Sequence, residues 1–207
     1  MRLALIAFLA LAAHAAQAPL VFEPSAIAAW RAHAFKGRTE YRLVDTETGP
    51  ALHARCDASA SGLVLERAID LRATPILEWS WRVDATLDPS VDETTRAGDD
   101  FAARLYVVRD GGLLRWRTRA VNYVWASAQP AGADWPNPFA SQAHMVAVRS
   151  GPGDGWATER RDLRADFRRF HGIDLDEIDA VAIMTDCDNR GVTAEAWYGA
   201  IRFLPAD

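Results

Sequence analysis

The strongest constraint on the fold is a set of short segments in which large apolar and polar residues alternate. Glu78-Trp79-Ser80-Trp81-Arg82 sets the pattern, and it recurs in Phe101-Ala102-Ala103-Arg104-Leu105-Tyr106 and Val121-Asn122-Tyr123-Val124-Trp125. Side chains two apart on a strand share a face. Trp79, Trp81 and Val83 therefore face a core, while Glu78, Ser80 and Arg82 face the other way. Comparable runs at 39–44, 51–56, 62–69, 76–83, 101–109, 113–118, 120–127, 143–150, 179–186 and 194–203 predict strands. Gly49-Pro50, Asp110-Gly111-Gly112 and Gly151-Pro152-Gly153-Asp154-Gly155 punctuate them, and the Asp-Gly-Gly reads as a hairpin turn.

So many short strands on a chain of this length predict an all-β, two-layer β-sandwich of jelly-roll or galactose-binding-like type. One short helix accompanies it. Asp162 can cap its start, Leu163, Phe167 and Phe170 fall at i, i+4 and i+7, and Gly172 stops it. A weaker helical turn is expected over 25–33. The polar stretches 84–98 and 129–142 read as long loops on the sandwich rim, where binding residues concentrate.

The N-terminus sets the compartment. Arg2, an apolar stretch from Leu3 to Ala13 too short to span a bilayer, and the small residues of Ala16-Gln17-Ala18 make residues 1–18 a secretory signal peptide. Residues 19–207 are then expected to form a single domain, periplasmic or secreted, with no integral membrane segment after cleavage. Lys36 is the only lysine and the formal net charge is −5, which argues against nucleic acid as a partner. Arg115, Arg117 and Arg119 alternate with Leu114, Trp116 and Thr118 and read as the solvated face of an outer strand. Cys56 and Cys187 are the only cysteines. In an exported sandwich, early and late strands are often neighbours, so a disulfide is open to them; two small buried thiols are the alternative.

Taken together, Trp79-Ser80-Trp81-Arg82-Val83, the run from Gly98 to Val108, Asn122-Tyr123-Val124-Trp125, Ser150-Gly151, Trp156, Glu159-Arg160-Arg161 and Met184-Thr185-Asp186-Cys187-Asp188-Asn189 resemble the DUF3047 family. The resemblance covers most of the chain after residue 18 and implies an exported bacterial protein. It brings no activity with it, and Cys187 stands where the family has a small polar residue, so a disulfide is not a family trait.

Candidate chemistry comes from the residues themselves. Arg82, Asp100, Arg104, Tyr106 and Asn122 read as a ligand-facing set on one sheet, with Trp135 at the rim. Guanidinium forks match vicinal hydroxyls and carboxylates, and an aromatic ring stacks on the C–H face of a sugar. A buried Arg–Asp network is the competing reading. Trp135 and Trp156 lie in loop-like surroundings and are the candidates for stacking on a ligand. Asp186-Cys187-Asp188-Asn189-Arg190-Gly191 begins like a calcium loop, with Asp186 and Asp188 as metal ligands and Asp99 or Asp100 as helpers from elsewhere. Arg190 and Trp197 break that pattern, so calcium is the one cofactor considered and none is required. His33, His53, His144 and His171 are scattered, without a nucleophile elbow or zinc motif.

These observations imply an exported, non-catalytic binding domain for a carbohydrate or another polar small ligand of the cell envelope. Two alternatives stand beside it: a periplasmic protein-interaction partner, and a glycan-active hydrolase or lyase drawing on two of Glu78, Asp99, Asp100, Glu159 and Glu195.

Overall fold

A computed structural model describes residues 18–206. The expected signal peptide therefore lies, apart from Ala18, outside the described residues. The elements run β1 (Leu20–Phe22), α1 (Pro24–Ala28), β2 (Arg31–Lys36), β3 (Glu40–Thr46), β4 (Gly49–Asp57), β5 (Ala60–Asp70), β6 (Ile76–Arg82), β7 (Ala103–Arg109), β8 (Arg119–Ala126), β9 (Asp134–Pro136), β10 (Ala143–Ser150), β11 (Trp156–Asp162), α2 (Leu163–His171), β12 (Glu177–Asp186) and β13 (Thr193–Leu204). A six-stranded sheet has the order β11-β6-β13-β4-β3, with β1 also on β13. A seven-stranded sheet has the order β2-β5-β12-β7-β8-β10-β9. Their inner faces meet as a β-sandwich around Leu52, Trp79, Trp81, Leu105, Tyr123 and Ile183.

The alternation in β6 has the expected result: Leu77, Trp79 and Trp81 are fully buried, and Glu78, Ser80 and Arg82 are half-buried on the outer face. The two tryptophans meet edge to face at 5.3 Å, and Trp79 also lies 5.2 Å from Tyr123 of the opposite sheet. Polar ties cross the same interior. The Thr185 hydroxyl donates to the Ala102 carbonyl at 2.7 Å and lies 2.9 Å from the Tyr198 hydroxyl. Tyr198 in turn donates to the Met184 carbonyl at 2.6 Å.

Helix α2 forms as its sequence dictates. The Asp162 carboxylate accepts from Ala165 N at 3.0 Å, and Gly172 closes the helix in the left-handed region at φ 67°. The Asp166 carboxylate then accepts from the Tyr123 hydroxyl at 2.6 Å and from Arg161 Nε at 2.8 Å, locking the helix to β8 and β11.

Two expectations are corrected, and one strand stands where none was expected. The segment 113–118 is not a strand: Leu114 N donates to Gly111 O and Arg117 N to Leu114 O, winding a 3₁₀ turn at Arg115–Arg117. Leu113, Trp116 and Arg117 are all exposed, so no buried face exists to hold an extended conformation there. The helical turn expected over 25–33 stops at Ala28, and Arg31–Lys36 pairs with β5 as an edge strand. Strand β11, where a charged run stood in the sequence, pairs with β6 from Trp156 to Asp162.

Cys56 of β4 and Cys187, just beyond β12, form a disulfide between the two sheets, with Cα atoms 6.2 Å apart and a sequence separation of 131. A cross-link closing so long a loop restricts the unfolded chain. Replacing both cysteines by alanine is expected to lower the unfolding free energy by about 2–5 kcal/mol. Denaturant titrations of the two proteins check this, and alkylation before and after reduction counts the free thiols.

Candidate functional site

The residues expected to form one ligand face separate onto two. Arg82 lies on β6 of the six-stranded sheet, whereas Arg104, Tyr106 and Asn122 lie on β7 and β8 of the seven-stranded sheet. The chain crosses between sheets over residues 83–102, and both sets point outward, so the thickness of the sandwich stands between them.

On the seven-stranded sheet, burial removes most of the set from solvent. The segment following β8 leads to β9, the edge strand paired with β10, and Trp135 of β9 packs on the outer face in a second small core with Phe101, Val124, Ala126, Met145 and Ala147. Trp135 is 7% exposed, a core residue rather than a rim residue. Asn122 is 2% exposed, with its amide 3.2 Å from the Met145 sulfur. Tyr106 is half-buried and donates to the Met184 sulfur at 3.3 Å.

Arg104, 2% exposed, is the centre of a buried network. Its Nε donates to Asp186 Oδ1 at 2.7 Å and its Nη2 to Asp186 Oδ2 at 2.5 Å; Nη1 reaches Asp99 Oδ1 at 3.2 Å, and Nη2 also meets the Asp99 carbonyl. Asp100 is fully buried and accepts from Asn189 N at 3.2 Å and Arg190 N at 2.8 Å, clasping the turn after β12. Asp100, Asp186 and Asp188 bring carboxylate oxygens within 4.8 Å of one another, the grouping expected of a cation site. The oxygens of Asp100 and Asp186 are already taken by backbone N–H groups and by the Arg104 fork, and Asp188 lies 3.7 Å from the Lys36 ammonium. Arg104 thus supplies the compensating positive charge, and a calcium ion does not fit this donor set.

Several carboxylates share that one guanidinium. Burial pushes the Asp186 carboxyl up to about 7, against the lowering pull of Arg104 and with a further raising push from Asp100 and Asp99. Burial raises Asp99 as well. A carboxyl whose folded value is raised holds its proton more tightly in the native state. Its contribution to stability is full below the unfolded value of about 4 and is lost as pH rises through about 7. The melting temperature is expected to fall between about pH 4 and about pH 7 at fixed ionic strength, the interval between the unfolded and folded values of Asp186, with a shallower fall in Asp186→Asn. Arg104→Ala strands buried carboxylates and is expected to cost about 3–5 kcal/mol in urea titrations.

The outer face of the six-stranded sheet is different in kind. Register places Trp156 of β11 opposite Arg82 of β6, Arg82 opposite Trp197 of β13, Trp197 opposite His53 of β4, and His53 opposite Arg42 of β3. These residues form one row running straight across the sheet. The Arg82 guanidinium lies 4.0 Å from the Trp197 ring centre, and the His53 ring stacks on Trp197 at 4.7 Å with planes 20° apart. Arg82 is also paired with Asp84 at 2.8 Å, and Glu195 pairs with Arg55 at 3.1 Å and His53 at 3.3 Å. The Trp197 faces are covered and its edge is left outward; Trp156, at the sheet edge, has no ring or cation contact among the described residues.

The next row is built from small groups. Thr158 lies opposite Ser80, and Gly199 of β13 lies so close to Ser80 that a Cβ there would collide with the Ser80 hydroxyl. Two adjoining depressions result. One, of about 290 Å³, is lined by Ser80, Gly199, Ala200, Thr158, Trp156 and Arg202. The other, of about 520 Å³, is lined by Arg82, Trp197, Trp156, Gly155 and residues 44–48. Trp156 and Thr48 border both. On the rim, Glu23, Asp45 and Glu47 are exposed and carry no ion pair among the described residues, whereas Arg202 is paired with Glu78 at 3.5 Å.

Sequence reasoning marked Arg82 and Trp156 and placed them apart; it set Trp197, His53 and Gly199 aside. The signal for Trp197 was local: Ala196 and Tyr198 on either side of it are inward, so Trp197 points out, and a register shift between Tyr198 and Ile201 is what turns Ile201 and Phe203 inward despite their sharing its parity. The carboxylates considered for catalysis are engaged elsewhere, Glu159 with Arg149 at 2.6 Å, Glu78 with Arg202 and Glu195 with Arg55.

The described structure is thus a β-sandwich with the fold of carbohydrate-binding modules. The solved structures it resembles include the family 30 carbohydrate-binding module of the cellulosomal cellulase Cel9D-Cel44B of Clostridium thermocellum, with a TM-score of 0.53 at 12% identity over 92% of this chain and 99% of that one. The low-affinity xylan-binding module CBM86 of Roseburia intestinalis aligns at TM-score 0.36 and 14% identity over 92% of this chain and 97% of its own. Winged bean acidic lectin aligns at 0.39 and 9% over 91% and 100%. Among curated proteins none matches the chain. The DUF3047 family, described as a protein of unknown function, matches residues 28–202, and the chain belongs to that family. No described helix is long and apolar enough to cross a membrane.

Proposed function

We propose that residues 19–207 form an exported, non-catalytic carbohydrate-binding domain whose ligand face is the outer surface of the six-stranded sheet. The observation that carries this reading is the pair of depressions divided by Trp156, with an Arg82–Trp197–His53 stack on one side and a floor of Ser80, Gly199 and Ala200 on the other. Sugars need a flat apolar surface for their C–H face and polar groups at fixed positions for their hydroxyls. Trp156 supplies the first; Ser80, Thr158, Thr48 and the outward edges of the stack supply the second. The two basic groups beside the depressions are neutralised by Asp84 and Glu78, and the free rim charges are acidic, which favours a neutral glycan over an acidic one.

The fold shared with the Clostridium thermocellum module supports the same reading. A disulfide between Cys56 and Cys187 suits an oxidising compartment, in keeping with a periplasmic or secreted protein. Calcium is left out, because Arg104 occupies Asp186, backbone N–H groups occupy Asp100, and Asp188 lies beside Lys36.

Titration of the mature protein with neutral oligosaccharides, read by calorimetry and by melting temperature, tests the proposal. One sugar class is expected to raise the melting temperature, since a ligand that binds only the folded state stabilises it. Trp156→Ala is expected to weaken binding at least tenfold, or about 1.4 kcal/mol, while Arg104→Met leaves the affinity of the folded fraction unchanged. Binding that survives Trp156→Ala and is lost in a folded Arg104→Met protein would move the site to the other sheet.

A further inference from the structure

We propose that the connection between β7 and β8 is a membrane-docking tip that takes a bilayer surface bearing anionic phospholipid headgroups. Leu113 is 101% exposed and Trp116 is 64% exposed, two large apolar side chains three residues apart in one short connection. Leu114 N donates to Gly111 O and Arg117 N to Leu114 O, so two successive tight turns, the second a 3₁₀ turn, hold both residues in this connection. The folded protein offers no cover for either side chain, and an indole is the side chain best suited to the boundary between headgroups and acyl chains.

The charge around this pair is of the sign an anionic surface needs. Residues 110–119 contain Arg115, Arg117 and Arg119 against the single acid Asp110, in a chain whose formal net charge is −5. Arg117 is exposed and has no ion pair among the described residues. Arg119 spends its Nη1 on the carbonyls of Trp116 and Thr118, both at 2.8 Å, so its charge shapes the turn and meets no carboxylate among the described residues. Asp110 is used internally: its Oδ1 accepts from Gly112 N at 3.1 Å and from the Thr118 hydroxyl at 3.3 Å. At the base of the turn, Asp179 and Glu177 are answered by Arg109 at 3.0 and 3.5 Å. Three arginines against one carboxylate leave residues 110–119 with a net positive formal charge, and Arg117 meets no carboxylate among the described residues.

Arginine beside exposed tryptophan and leucine is a combination a bilayer surface accommodates at one depth, apolar groups below and guanidinium groups level with the phosphates. The tip belongs to the seven-stranded sheet, whereas the carbohydrate face proposed above is on the six-stranded one, so a sugar and a membrane can be held together. With so few groups, binding of this kind is weak and reversible and depends on salt.

The test is co-sedimentation of the mature, disulfide-intact protein with vesicles of phosphatidylcholine alone and of phosphatidylcholine mixed with phosphatidylglycerol, at low and high salt. Expected is binding to the mixed vesicles only, weakened by high salt. Arg117→Ala is expected to reduce it about fivefold, as for the loss of one basic residue near an anionic surface, and Leu113→Ser with Trp116→Ser to abolish it. These side chains are exposed, and an unchanged melting temperature verifies that the variants fold. No binding to either vesicle, or binding that the Leu113/Trp116 variant retains, overturns the proposal. Concentration-dependent self-association without vesicles, removed by the same variant, also overturns it and assigns the tip to a second copy of the chain.

Discussion

One guanidinium organises an end of this molecule. Arg104 sits where the outer face of the seven-stranded sheet would otherwise be open, and a charge can be held out of water only if its hydrogen bonds are met by fixed acceptors. Asp186 and Asp99 meet them. Those carboxylates come from distant parts of the sequence, so fixing them also fixes the loop before β7 and the turn after β12, and Asn137 extends the network by donating to Asp99 at 3.1 Å. Once Asn137 is placed, Trp135 is drawn over Met145 and Phe101, and the face is closed. A buried ion pair contributes little net stability, but it penalises every arrangement that leaves one member alone. Its value here is in deciding which sheet is covered.

The uncovered row on the other sheet owes its order to the spacing of strands. Neighbouring strands lie about 4.8 Å apart, close to the separation at which planar groups stack, so residues in register on adjacent strands can stand face to face without straining their rotamers. Arg82, Trp197 and His53 do so at 4.0 and 4.7 Å. The arrangement is rigid for the same reason, because each plane is held on the sheet by its own strand and against its neighbour by dispersion and cation–π attraction. Glycine at 199 keeps the adjoining row low, since any side chain there would strike Ser80. A surface that is already ordered loses little side-chain freedom on binding.

The sandwich and its inner face were legible in sequence because strand alternation is local: Trp79 and Trp81 declare their side by their neighbours alone. Helix α2 was legible for a similar reason, having a cap, a stripe and a stop within eleven residues. Sheet membership was not legible. Whether β6 and β7 share a sheet depends on the path of residues 83–102, and nothing in that path reveals which way it crosses; hence Arg82 and Arg104 were read as neighbours. Strand β11 was hidden because two of its three inward positions, beside Ala157, are Glu159 and Arg161, charges that Trp81, Arg149 and Asp166 answer. Trp135 misled because Pro and Asn flank a loop whether or not its tryptophan is buried.

The order of strands also governs when this protein can exist. Strand β13 is the centre of the six-stranded sheet, holding β1, β4 and β6, and β12 joins β5 to β7 in the other; both come from the last stretch of the chain. Until residues 177–204 are available, the six-stranded sheet is three separate pieces, the seven-stranded sheet is two, and Cys56 has no partner. A nascent chain lacking them has only non-local contacts still to be made, and such contacts form late. The polypeptide consequently stays open until its synthesis is nearly finished.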